Sequence, residues 1–174
     1  LRVKIAPRAG SYPGMPTSRQ WSVDVVGSAM PSSVTVDGVK LSRSDDAKPG
    51  TWRLTGKDLT LHVTLPQHGY DSAQVVEVTW PANAPDVNGL TGQMRDVREA
   101  VAWLKAHWED VNGVPDDVSL AAQADLLIDY RPERFTEEVA AFRKRYAQLD
   151  KALEQGGVPA DMRATFRARL GASR

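Results

Sequence analysis

The apolar residues of this chain change their period once, near the middle, and that change limits the folds open to it. Up to about residue 80 they alternate, in Val3 and Ile5, in Trp21, Val23 and Val25, in Leu59, Leu61, Val63 and Leu65, and in Val76, Val78 and Trp80. Alternation turns one side of a strand to a core and the other to water. Beyond Pro81-Ala82-Asn83-Ala84-Pro85-Asp86-Val87-Asn88-Gly89 the step becomes three or four, first through Met94, Val97, Val101, Leu104 and Trp108. Val118, Ala121, Ala124 and Ile128 repeat it, and Phe135, Val139, Phe142, Tyr146, Leu149 and Leu153 carry it furthest. That spacing makes a helix with a single apolar stripe.

Turn chemistry divides both halves. Asp37-Gly38 lies inside Val34 to Leu41 and tolerates positive φ, so it predicts a two-residue hairpin with Val36 opposite Val39 and Val34 opposite Leu41. Thr55-Gly56-Lys57-Asp58 predicts a second hairpin, between Trp52-Arg53-Leu54 and the strand starting near Leu59. The first half therefore reads as an antiparallel sandwich or barrel of about 80 residues. In the second, Asp116 or Asp117 is available as an N-cap, Gly156-Gly157 can close the longest helix, and Met162, Phe166 and Leu170 predict a last short one.

The expected fold class is α+β: an antiparallel β-sandwich of about six to eight strands, then three or four helices packed on it or on themselves. The expected domains are a sandwich over 1–82, a linker over 83–92 and a helical domain over 93–174. Halves this small bury little more than the roughly 60% of surface expected for 60 residues, so a shared interface is expected.

Composition narrows the function by exclusion. The 174 residues are too few for a (β/α)8 barrel, which takes about 250. With 41% hydrophobic and 25% charged residues the chain is an ordinary globular one. The 22 basic and 22 acidic residues leave no net charge, so neither nucleic acid nor an anionic membrane is an expected partner. Cysteine is absent, which removes disulfides, thiolate metal sites and a Cys nucleophile. No run of 18 apolar residues exists, and Leu1-Arg2-Val3-Lys4-Ile5 lacks the apolar core of a signal peptide. Without an initiator Met the chain reads as a piece of something longer or a processed product. Its compartment, exported or cytoplasmic, stays open.

No motif points to catalysis, a cofactor or a metal. His62, His68 and His107 sit in no nucleophile elbow and lack the i, i+4 spacing of a zinc helix, so they read as surface or boundary residues. Asp45-Asp46 lies in a polar loop and Asp116-Asp117 at a helix start, neither in the apolar setting that raises a carboxyl pKa for acid catalysis. Gly10, Gly14 and Gly27 make no phosphate-binding series. Among the aromatics, Trp21 and Trp80 are in phase with core strands, and Trp103 falls one residue before Leu104 of its stripe. Trp52 and Tyr70 remain the candidates for an exposed sugar-binding platform.

Three segments carry a family resemblance: Gly10-Ser11-Tyr12-Pro13-Gly14-Met15, Arg19-Gln20-Trp21-Ser22-Val23, and Pro31-Ser32-Ser33-Val34-Thr35-Val36-Asp37-Gly38. Together they resemble the C-terminal β domain of glycoside hydrolase family 31, the α-glucosidase and α-xylosidase group. The segments Asn88-Gly89-Leu90-Thr91-Gly92-Gln93-Met94-Arg95 and Asp129-Tyr130-Arg131-Pro132-Glu133-Arg134-Phe135 are similar to helical extensions of some bacterial members. The likeness runs from residue 1 to about 155.

The resemblance implies that hydrolysis belongs to an upstream barrel of the same polypeptide, which would be this chain's partner, so no catalytic residue carries over. It implies backbone roles for Gly10, Gly14 and Gly38, and a role for Arg19 in tying the Tyr12 turn to its strand through carbonyls. The chain is then expected to be a non-catalytic accessory region, inactive alone. The alternatives are a carbohydrate-binding module for an α-glucan or oligosaccharide, and a subunit-contact domain built on the helical stripes.

Overall fold

A computed structural model describes residues 1–108 and 113–171; the end of the expected helical domain, 172–174, lies outside the described residues. The chain divides into two compact units, one of residues 1–55 and 59–84, the other of 56–58 and 85–171 among those described.

The first unit holds strands β1 (Arg2–Ile5), β2 (Ser18–Arg19), β3 (Ser22–Val25), β4 (Ser33–Val36), β5 (Val39–Lys40) and β6 (Ser42–Arg43). It continues with β7 (Thr51–Thr55), β8 (Thr60–Thr64), β9 (His68–Gly69) and β10 (Gln74–Thr79). They form two four-stranded sheets, in the orders β1-β10-β4-β5 and β3-β8-β7-β6, and a small β2-β9 pair. All pairings are antiparallel except β6 with β7. Six strands exceed two residues, so the sandwich expectation holds, and no sheet closes into a barrel.

The Asp37-Gly38 turn forms as its residues predict, with φ of 51° and 80°, both left-handed as a type I′ turn requires. Val36 pairs with Val39, and the Leu41 amide donates to the Val34 carbonyl. Val34, Val36 and Leu41 are buried, but Val39 is 68% exposed, because β5 is a two-residue edge strand. Leu59, Leu61, Val63 and Leu65 are fully buried, as alternation predicts.

Two tryptophans depart from the core role that their phase suggested. Trp80 is half-buried, its indole N–H donating to Ser28 Oγ at 3.1 Å and to the Ala29 carbonyl at 2.9 Å. Trp21 is 38% exposed, because it lies one residue ahead of β3 and β3 is an edge strand. Phase sets the direction of a side chain; cover requires a neighbour beyond it.

The second unit is built from α1 (Leu90–His107), α2 (Asp116–Ala122), α3 (Ala124–Tyr130), α4 (Phe135–Gln155) and α5 (Ala160–Arg169), with a 3₁₀ turn over Pro132–Arg134. The expected second helix is two, since the chain leaves helical geometry at Gln123 (φ −104°, ψ 11°). The helices pack on one another, α1 against α2 and α5, α4 against α2, α3 and α5. Their predicted stripes are the buried residues, except that Trp108, Tyr146, Met162 and Leu170 are half-buried, with Trp108 just past the end of α1 and Leu170 just past that of α5. Pro115, not Asp116 or Asp117, holds the N-cap of α2, which puts both acids in its first turn, beside the positive end of the helix dipole. Gly157, at φ 79°, ends α4: its amide donates to Glu154 O and that of Val158 to Leu153 O, both at 3.0 Å.

Candidate functional site

The long segment between β1 and β2 is tied down by backbone hydrogen bonds, and the tie creates a cavity in the first unit. The Arg8 amide donates to the Tyr70 carbonyl at 2.9 Å, and the Tyr70 amide to the Thr17 carbonyl at 3.3 Å. Ser18 pairs with Gly69 and Arg19 with His68. Gly10 and Gly14, at φ of 78° and 79°, let the segment turn on itself, and the Met15 amide reaches the Tyr12 carbonyl.

The cavity, open to solvent on one side, measures about 230 Å³. Tyr12, Trp21 and Tyr70 supply aromatic surface, Met15, Pro16 and Ile5 aliphatic surface. Arg8, Arg19, His68, Ser72 and Gln74 supply the polar groups, and no Asp or Glu lines it.

The two arginines differ in their commitments. Arg8 Nη1 donates to the Pro16 carbonyl at 3.1 Å, its Nη2 lies 3.6 Å from Asp71 Oδ1, and its guanidinium stands 5.0 Å from the Tyr70 ring centre. Arg19 stacks against Trp21 at 5.2 Å and Tyr70 at 5.6 Å, and no carboxylate among the described residues pairs with it. The implied role of Arg19 in holding the Tyr12 turn through carbonyls is thus corrected: Arg8 reaches a carbonyl of that segment, while Arg19 lies on aromatic faces.

Gln74 opens β10 on the inward face shared with Val76 and Val78 and is 2% exposed, yet its side-chain Oε1 has no hydrogen-bond partner among the described residues. A buried acceptor left unmet costs free energy, which makes it the feature of the cavity most in need of explanation.

Of the two platform candidates, Tyr70 lines the cavity and Trp52 does not; Trp52 is half-buried on β7, paired with Val63. Arg8, His68 and Gln74 form no sequence motif, because Arg8 stands most of the β unit's length away from the other two. One signal was present: Gln74 is an amide in phase with Val76 and Val78.

The histidines do not form a nucleophile centre. His68 Nε2 lies 2.8 Å from Ser72 Oγ, but no carboxylate among the described residues orients its other nitrogen. His62 Nδ1 meets Asp24 Oδ1 at 2.9 Å and its Nε2 lies 3.5 Å from Thr55 Oγ1, on neighbouring strands. That hydroxyl donates to the Thr60 carbonyl, so the line is a cross-strand polar ladder. His107 Nδ1 lies 2.8 Å from the Trp103 carbonyl, and the two rings stack at 4.9 Å. Three of the four adjacent aspartates lie beside bases: Asp45 is 3.5 Å from Arg43, Asp46 2.7 Å from Lys48, and Asp117 3.3 Å from Arg145. Among the described residues no three metal-ligating side chains cluster.

Compared with known proteins, the chain matches no family model, no curated protein and no solved structure.

Proposed function

We propose that this chain is a non-catalytic accessory region of an α-glycoside hydrolase, and that its β unit binds carbohydrate in the cavity between residues 6–21 and 68–74. One observation carries the reading: Tyr12, Met15, Arg19 and Trp21, all from the stretch that resembles glycoside hydrolase family 31, line the same cavity. Aromatic faces beside polar groups suit a sugar ring, whose C–H faces are apolar and whose rim is hydroxylated. The volume of about 230 Å³ falls below the range of about 300 to 1,000 Å³ for pockets that enclose drug-sized ligands. It suits one terminal ring rather than a long chain. Hydrolysis belongs, in this reading, to a barrel upstream in the parent polypeptide, and this region holds sugar near it.

Titration of the chain with maltotriose, followed by tryptophan fluorescence, tests the proposal. Trp21→Ala should weaken saturable binding about tenfold, the loss of one stacked ring, while Trp52→Ala leaves it unchanged. Absence of saturation in the unaltered chain, or equal affinity in Trp21→Ala, sinks it.

A further inference from the structure

The cavity is electrically one-sided in a chain of no net charge. Two guanidinium groups and an imidazole line it, with no carboxylate among the lining residues. Arg8 is partly satisfied by the Pro16 carbonyl and the exposed Asp71. Arg19 is not: its guanidinium lies over the rings of Trp21 and Tyr70, and no carboxylate among the described residues pairs with its N–H groups. A guanidinium stacked on aromatic rings is preorganised for a planar or tetrahedral oxyanion, because less side-chain freedom is lost when the contact forms. Gln74 supplies an independent observation, an acceptor on a residue 2% exposed that meets no donor among the described residues.

We infer that the cavity takes a sugar ring bearing an anionic substituent, a carboxylate or a phosphate, with Arg19 meeting the anion and Gln74 Oε1 accepting from a ring hydroxyl. The inference rests on the carbohydrate reading above and names the class of sugar. A neutral sugar would satisfy Gln74 and cover the aromatic faces, yet leave Arg19 without a counter-charge. An anion without a ring would satisfy Arg19 and leave Gln74 unmet. The two groups together select a ligand that has both an acid and a hydroxyl. Asp71 stands next to the cavity without lining it, so its charge weakens the attraction without abolishing it.

The test compares glucose, glucuronate and glucose 6-phosphate on the full chain at low ionic strength, read by amide chemical-shift changes. At least one of the anionic sugars should bind about tenfold more tightly than glucose, and added salt should narrow the gap, since the cavity is open to screening. Whichever of the two gains identifies the anion as carboxylate or phosphate. Inorganic phosphate alone should bind more weakly than the anionic sugar. Arg19→Gln should bring the anionic sugars to the level of glucose, and Arg19→Lys, which keeps the charge, should retain part of the preference. Gln74→Met should weaken all three sugars alike, with the amide spectrum showing that each variant stays folded. Glucose binding as tightly as both anionic sugars overturns the inference and leaves the carbohydrate reading standing. Failure of every sugar to shift the cavity amides overturns both.

Discussion

Gln74 sits where alternation calls for an apolar side chain, in phase with the buried Val76 and Val78. An unmet buried acceptor costs about 1 to 3 kcal/mol, so Gln74→Met should stabilise the unliganded chain by about 1 kcal/mol while weakening its sugar binding. Urea unfolding of the two proteins checks the first effect and sugar titration the second. A variant less stable than the parent would mean that the amide serves the fold. Opposite signs for stability and binding are the mark of a group kept for a ligand. Arg19 makes the complementary case: it is exposed, so Arg19→Gln should lose only its contacts with the Trp21 and Tyr70 rings and should change ligand binding more than stability. Tyr70 and Trp52 show what residue type can and cannot reveal. Both are aromatics at a half-buried level, and only the chain around Tyr70 folds back to make a cavity of it.

Elements differ in how much of their behaviour is local. The β4-β5 hairpin is local, because Asp37 and Gly38 adopt left-handed conformations that few other residue pairs tolerate. The end of α4 is local for the same reason at Gly157. α5 is not: it is ten residues long, too short to persist alone, and Phe166 is its one buried residue. Packing against α1 and α4 must therefore hold it. Phe166→Ala should cost about 3 to 5 kcal/mol, and hydrogen exchange should show α5 opening ahead of α4. Equal protection across both helices after the substitution would contradict this account. Division of the expected second helix into α2 and α3 also had no legible signal: Gln123 is a good helix former, and both pieces pack on α4, α2 packing on α1 as well.

At the scale of the whole molecule, the balance of 22 basic and 22 acidic residues sets its colloidal behaviour. Net charge near zero promotes self-association, so solubility measured across a pH series should be lowest near neutrality and rise on either side. A minimum well away from neutrality would show that uneven exposure of the charges outweighs their count. The division into an antiparallel β unit and a helical unit was legible because a change of apolar period is a property of consecutive residues. So were the Asp37-Gly38 turn and the Gly157 helix end, each set by the steric freedom of one or two residues. Cover was not legible: Trp21 shares the phase of the half-buried Val23 and Val25, and Val39 that of the buried Leu41, yet both stand on or beside edge strands and stay exposed. Nor was the cavity, which draws Arg8, Tyr12, Arg19, Trp21, Tyr70 and Gln74 from distant parts of the β unit. Period and turn chemistry act through bonded neighbours and can be read along the chain, whereas burial and charge placement depend on contacts between distant residues that exist only once the sheets have formed.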